Sequence, residues 1–164
     1  MLNLRLFGPV LLAFAIATLA AAAETGSIVP NGSFEQGEGD RPTGWTLEGA
    51  GEWVSGGAHS GRRCVAVEGE GRGVAFWACH DLPWKPNQLY QMSFWSRADA
   101  GTSGGCVVSG PVFANDDWGR STEWTRARYV FLSPSTIPAD AYLRVGVWET
   151  RGRVYFDDVE LLPT

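Results

Sequence analysis

The chain lacks most of the residues that would mark a nucleic-acid binder, a zinc protein or a helical protein. Only one of its 13 basic residues is a lysine, Lys85, and the net charge is −5. The arginines are scattered and form no patch interleaved with stacking aromatics, which argues against nucleic acid and against a polybasic membrane-surface site. The two histidines, His59 and His80, stand far apart, and no Cys-x-x-Cys occurs, so a zinc site has no framework. There are 3 cysteines, Cys64, Cys79 and Cys106, and an odd number leaves at least one thiol over. Cys64 and Cys79 share a face if their strands form a hairpin, and the pairing stays open. The glycines of the turn 68–73 do not have phosphate-loop spacing, and no strand-to-helix step surrounds them.

Long apolar runs are also missing, with one exception at the start. Residues 1–9 carry a single charge, Arg5, residues 10–20 carry none, and Ala21, Ala22 and Ala23 follow. This is the layout of a secretory signal peptide over 1–23, with the alternative of a spanning helix disfavoured by the shortness of the run. The expected mature chain, 24–164, is secreted or periplasmic and has no membrane association after cleavage. It has an ordinary single-domain size and is long enough to bury a core without disulfides.

What remains is rich in glycine, proline and tryptophan: 21, 9 and 8 residues. After the signal segment no helical period lasts three turns. Short alternating runs recur between turn clusters, which predicts an all-β sandwich or barrel. Strands are expected over 33–35, 45–48, 52–55, 62–68, 73–79, 88–97, 106–109, 112–114, 124–132, 142–149 and 153–161, with 37–42 and 115–121 as loops. In 142–149, Leu143, Val145 and Val147 take one face and Tyr142, Arg144 and Trp148 the other. In the closing run RVYFDDVEL, Asp157 falls on the face of Val159 and Leu161 and Asp158 on the opposite one. A carboxylate on a core face needs a partner, either a cation or an arginine.

Eight tryptophans exceed what one small core readily uses. Trp45 and Trp124 are expected in the core. Trp95 and Trp148 sit opposite the apparent core faces of their strands, and Trp77 is a third candidate there. Flat rings beside Arg97 and Arg144 suit a sugar, which offers an apolar CH face to stack and hydroxyls to bond. Trp53, Trp84 and Trp118 are candidates on rim loops. Catalysis finds less support. Glycoside cleavage needs two carboxylates at a set separation, and the neighbours Asp157 and Asp158 are expected to point apart.

The order of motifs carries a resemblance. Asn31-Gly-Ser-Phe-Glu35 is followed by Gly44-Trp45, His59-Ser-Gly-Arg62, Leu89-Tyr-Gln-Met-Ser-Phe-Trp-Ser-Arg97, Glu123-Trp124 and Val154-Tyr-Phe-Asp-Asp-Val-Glu-Leu161. The chain resembles the bacterial carbohydrate-binding modules of families 4, 9, 16 and 22, within the galactose-binding-like β-sandwiches. The resemblance implies a jelly-roll β-sandwich of two antiparallel sheets that binds a polysaccharide or oligosaccharide without cleaving it. It also implies a structural calcium held by Glu35, by backbone carbonyls near His59 and Arg62, and by Asp157, with Asp158 in its place if the register is off by one. Oxygen ligands suit such a hard cation. These modules are usually attached to a catalytic domain, which 24–164 does not contain. The expected partner is then a separately encoded enzyme or envelope component. A protein-contact sandwich and a small jelly-roll lyase or hydrolase are the alternatives.

Overall fold

Alternating apolar residues between glycine and proline turns make strands, and two layers of strands bury each other's apolar faces. The computed structural model describes residues 26–164. The expected signal segment, 1–23, lies outside the described residues. A ribbon of β1 (Gly37–Glu38) and β2 (Arg41–Pro42) precedes β3 (Thr46–Glu48), β4 (Ala50–Ser55), β5 (Arg63–Glu70) and β6 (Val74–Cys79). Then come β7 (Leu89–Ala98), β8 (Cys106–Pro111), β9 (Asp116–Trp118), β10 (Thr125–Leu132), β11 (Leu143–Trp148) and β12 (Arg151–Pro163).

Two five-stranded sheets result, in the orders β10-β7-β12-β5-β4 and β3-β6-β11-β8-β9, and every pairing is antiparallel. We name them for their central strands, the β12 sheet and the β11 sheet. Met92, Phe94, Phe156, Val65 and Leu161 of the first meet Trp77, Leu143, Val145 and Val107 of the second in one core, each at most 3% exposed. The expected all-β sandwich of two antiparallel sheets is the observed one.

Several local expectations give way. Residues 33–35 form no strand. Asn31 and Phe34 adopt φ of 49° and 57°, and the Asn31 side chain bonds the backbone of Gln36 and Thr43. The expected loops contain the β1–β2 ribbon and β9, and 112–114 is a turn. β5 and β6 are not a hairpin but lie in opposite sheets, so Cys64 and Cys79 do not face each other, and all three cysteines are free.

The last strand departs most. Val154 and Phe156 point into the core, then the register shifts between Asp157 and Glu160, and Val159 and Leu161 point inward after it. Asp158, at φ 47°, absorbs the extra residue. Asp157 therefore does not share a face with Val159 and Leu161, although it is wholly buried.

Candidate functional site

The outer face of the β12 sheet carries the first group of candidates, and its rings are already in use. Trp95 lies under His59, with ring centroids 3.8 Å apart and planes 15° from parallel. Trp124 meets the same imidazole edge-on at 5.8 Å, so it belongs to this surface and not to the core. Arg97 sits 3.9 Å above the Tyr155 ring and pairs with Asp99 at 3.5 Å. Arg153 pairs with Glu52 next to them. A ring whose face is covered by a cation or another ring has little apolar surface left for a ligand.

His59 is held by the closing strand. The Asp157 carboxylate accepts the backbone N–H groups of His59 (2.8 Å) and Ser60 (3.0 Å) through Oδ2, and that of Asp158 through Oδ1. Asp158 accepts the Ser60 hydroxyl at 2.7 Å and bonds His59 Nδ1 at 2.7 Å. The bulge thus turns both carboxylates onto one turn, where strict alternation would have separated them. Glu35 Oε1 accepts the N–H groups of Arg62 and Arg63 at 2.8 Å each. Burial, and then the neighbouring Asp158, push the Asp157 carboxyl up to about 7 against the backbone N–H bonds that lower it. Among the described residues no lysine or arginine pairs with Asp157, Asp158 or Glu35. Asp157 and Glu35 also both raise the Cys64 thiol, which burial pushes up to about 12. Oxygen donors of this kind suit a hard cation, but among the described residues no three His, Cys, Asp or Glu side chains stand together as a ready ligand set, and Arg97 and Arg153 offset the carboxylates at Cys64. The fit differs in detail from the expectation. Arg62 gives its N–H to Glu35, and its carbonyl already accepts Gly56 N–H at 2.8 Å.

The outer face of the β11 sheet is built differently. Its middle row runs Glu48, Phe76, Gly146, Val108, Asp117 across the five strands. The next row holds Thr46, Ala78, Arg144 and Gly110. Between the larger side chains stand small ones or none, themselves buried: Ala78 is 1% and Val108 4% exposed. At Gly146 a Cβ would stand 2.4 Å from Phe76 Cβ and 2.3 Å from the Ala75 carbonyl oxygen, so only glycine fits there. Rings rise at both ends. Trp148 is 44% exposed, and among the described residues no ring or cation stacks on it. Phe76 and Tyr142 lie parallel, 5° apart in plane at 5.8 Å, with His80 5.2 Å beyond Tyr142. Arg144 donates to Asn115 Oδ1 at 2.8 Å and lies 5.4 Å from the Phe76 ring. Six residue steps of strand separate Trp148 from Tyr142, about 20 Å.

The candidate rings therefore do not line one groove. Trp77 faces the core at 3% exposed, its indole N–H donating to the Ala66 carbonyl at 3.0 Å. Trp95 and Arg97 lie on one outer face, and Trp148 and Arg144 on the other. Trp53 sits at the sandwich edge beneath Arg63, whose guanidinium is 3.8 Å from its ring. Trp84 packs edge-on against Tyr90 and Phe113 at 5.2 and 5.3 Å, and Trp118 against Phe94 at 6.3 Å. Both are partly buried hydrophobics packed against the core, not rim platforms. Phe76, Tyr142 and Asn115 complete the β11 face and were not among the expected site residues. Phe76 was hidden because it is next to Trp77, and a shift of one residue exchanges the two faces.

No protein-family model matches the chain, and no curated protein matches it. Solved structures do. A structure described as a family 16 carbohydrate-binding module is 20% identical, covers 82% of this chain and 99% of its own, and superposes with a TM-score of 0.59. One described as CBM4 is 14% identical over 83% and 99%, with a TM-score of 0.65. The chain has the carbohydrate-binding-module fold. That fold does not decide the chemistry, because a cyclase from Fischerella sp. TAU shares it at 17% identity, over 81% and 94%, with a TM-score of 0.62. Function has to be read from the side chains.

Proposed function

We propose that the chain is a secreted or periplasmic, non-catalytic carbohydrate-binding domain that holds a polysaccharide along the outer face of the β11 sheet. One observation carries the reading: Trp148 stands open, 44% exposed, on the face that also presents Phe76, Tyr142 and Arg144. An uncovered indole gives a pyranose ring its stacking surface, and Arg144, Asn115, Glu48 and Asp117 offer hydroxyl partners at the sides. The same face argues against hydrolysis. Its carboxylates, Glu48 and Asp117, stand on the two edge strands, four strand spacings or about 19 Å apart. Glycoside cleavage uses pairs at roughly 5 to 9.5 Å. Affinity electrophoresis in gels containing glucans, xylans or mannans tests the reading. Retardation on at least one is expected, and unchanged mobility on all of them overturns it.

The proposal includes a resident calcium. Glu35 and Asp157 would hold it through side-chain oxygens, with Asp158 and backbone oxygens of the turn at His59 completing the set. A cation there supplies the positive charge that the buried Asp157 carboxylate lacks, and it fastens the segment before the ribbon to the last strand. Support comes from the raised Asp157 described above and from the lack, among the described residues, of a lysine or arginine paired with Asp157, Asp158 or Glu35; the side chains do not form a ligand cluster without the ion.

A further inference from the structure

We propose that the chain carries a second sugar site, a cleft that takes one neutral sugar ring at the open side of the sandwich. β3 and β4 are the edge strands of different sheets and do not pair with each other. The β1–β2 ribbon lies across the gap. The cavity between them measures about 590 Å³, with Trp45, Leu47, Trp53 and, at its inner wall, Trp77 as its apolar lining and Asp40, Arg41 and Glu52 among its polar lining. That volume is in the range of small-ligand sites, roughly 300 to 1,000 Å³.

Three observations define the occupant. The Trp53 ring is fixed before any ligand arrives. Its indole N–H donates to the Phe34 carbonyl at 2.8 Å, and Arg63 covers one face, so a ligand is left only the part of the ring that lines the cavity. The ribbon backbone at Gly37 comes so close that a Cβ there would stand 2.4 Å from Trp53 Cη2. A ring already held in place costs little ordering on binding. The charges of the cleft are also paired. Asp40 faces Arg41 at 3.7 Å, and Glu52 turns its carboxylate to Arg153 on the outer face of the β12 sheet. The Asp40–Arg41 pair offers an acceptor and a donor together, which suits hydroxyl groups, and the cleft presents no unpaired charge for an ion. Finally, the cleft opens beside the proposed platform. Thr46 lines the cavity and also stands in the β11-sheet row that contains Ala78 and Arg144. The cleft thus lies to the side of a polysaccharide running along β11, within reach of a side branch. The inference rests on the carbohydrate reading for its ligand class and uses none of the platform's rings.

Amide and indole resonances of the full chain, titrated with the methyl glycosides of glucose, galactose, mannose and xylose, test it. One of these is expected to shift the Trp53 indole and the Arg41 and Glu52 amides, in the wild type and in Trp148→Ala alike. Arg41→Ala removes a side chain that is 84% exposed and held only by a surface pair, so it leaves the fold in place. It is expected to weaken that binding ~10-fold through the lost charged hydrogen bond. No movement of these resonances up to the solubility of the four glycosides overturns the cleft. Movement that vanishes in Trp148→Ala overturns it too, because the cleft would then have no ligand of its own. Cleft shifts without any gel retardation would leave the cleft standing and remove the platform.

Discussion

The two outer faces of this sandwich carry similar residues and differ in what those residues have left to offer. On the β12 sheet, Trp95 is capped by His59 and Tyr155 by Arg97. On the β11 sheet, Trp148 is 44% exposed and uncapped, beside a glycine floor. One face spends its aromatic surface on internal stacking, and the other keeps it open. The inventory of a face is thus a poor guide to its role. What matters is whether each ring already has a partner, since a stacked pair gains only what its solvent-facing side gives up.

The largest expected effect belongs to the tryptophan that lies between the faces. Trp77 is buried and its N–H is bonded. Trp77→Ala should cost about 3 to 5 kcal/mol through lost transfer energy and the cavity left behind. Thermal or denaturant unfolding measures it. A loss of sugar binding with unchanged stability would break the assignment of Trp77 to the core.

The carboxylates behind the β12 face come next. If calcium is resident, removing it by chelator should lower stability by about 2.7 kcal/mol for a site held at 100 times its dissociation constant. The metal-free chain should also respond to pH in a particular sense. Asp157 is raised from 3.8 to about 7 in the folded chain. Between these values the folded chain holds a proton that the unfolded chain has lost. This group therefore stabilises the fold fully below about pH 4, and the contribution fades as pH rises to 7, over a span of roughly 2 to 4 kcal/mol. Bound calcium competes with that proton and should reverse the slope. Melting curves at pH 5 and 7.5, with calcium and with chelator, check both signs. Four identical midpoints would remove the cation from the account.

Alternation made part of this legible from the chain. Leu143, Val145 and Val147 against Arg144 and Trp148 resolved the faces of β11 because that strand runs without interruption. The closing strand could not be read this way. One extra residue at Asp158 puts Phe156 and Val159 on the same side, and nothing in the run RVYFDDVEL marks the bulge. Trp77 failed for a related reason, since Phe76 and Trp77 are both aromatic and hydrophobicity alone does not say which points inward. The turn 71–73 is as short as a hairpin's but carries the chain from one sheet to the other, which local sequence does not distinguish. The convergence of Glu35, His59 and Asp157 came from the resemblance, because residues so far apart in sequence leave no local trace of meeting.

Trp148 should dominate binding. Trp148→Ala is expected to weaken polysaccharide retardation ~30-fold, the effect of losing a central aromatic anchor worth about 2 kcal/mol. Its stability should change little, because the ring is already half in water. Phe76→Ala should weaken binding less, since that ring shares its surface with Tyr142 and Arg144. Retardation unaffected by either change would move the binding surface off the β11 sheet.

The smallest effect makes the sharpest contrast. Trp95→Ala removes a ring as large as Trp148, on the opposite face. It strips the stacked support from His59, whose imidazole then keeps the Asp158 bond and the edge contact with Trp124. The stacked pair is worth about 1 kcal/mol, so the variant should melt a few degrees lower. Its retardation in the polysaccharide gel should match the wild type. The His59→Ala variant sharpens the point further, because it uncovers Trp95 without removing it. If covering is what silences the β12 face, His59→Ala should gain weak sugar binding there, visible as indole fluorescence quenching in a Trp148→Ala background. An uncovered Trp95 that still ignores sugar would mean that the small floor around Gly146, and not the free ring, is what makes the β11 face a binding surface.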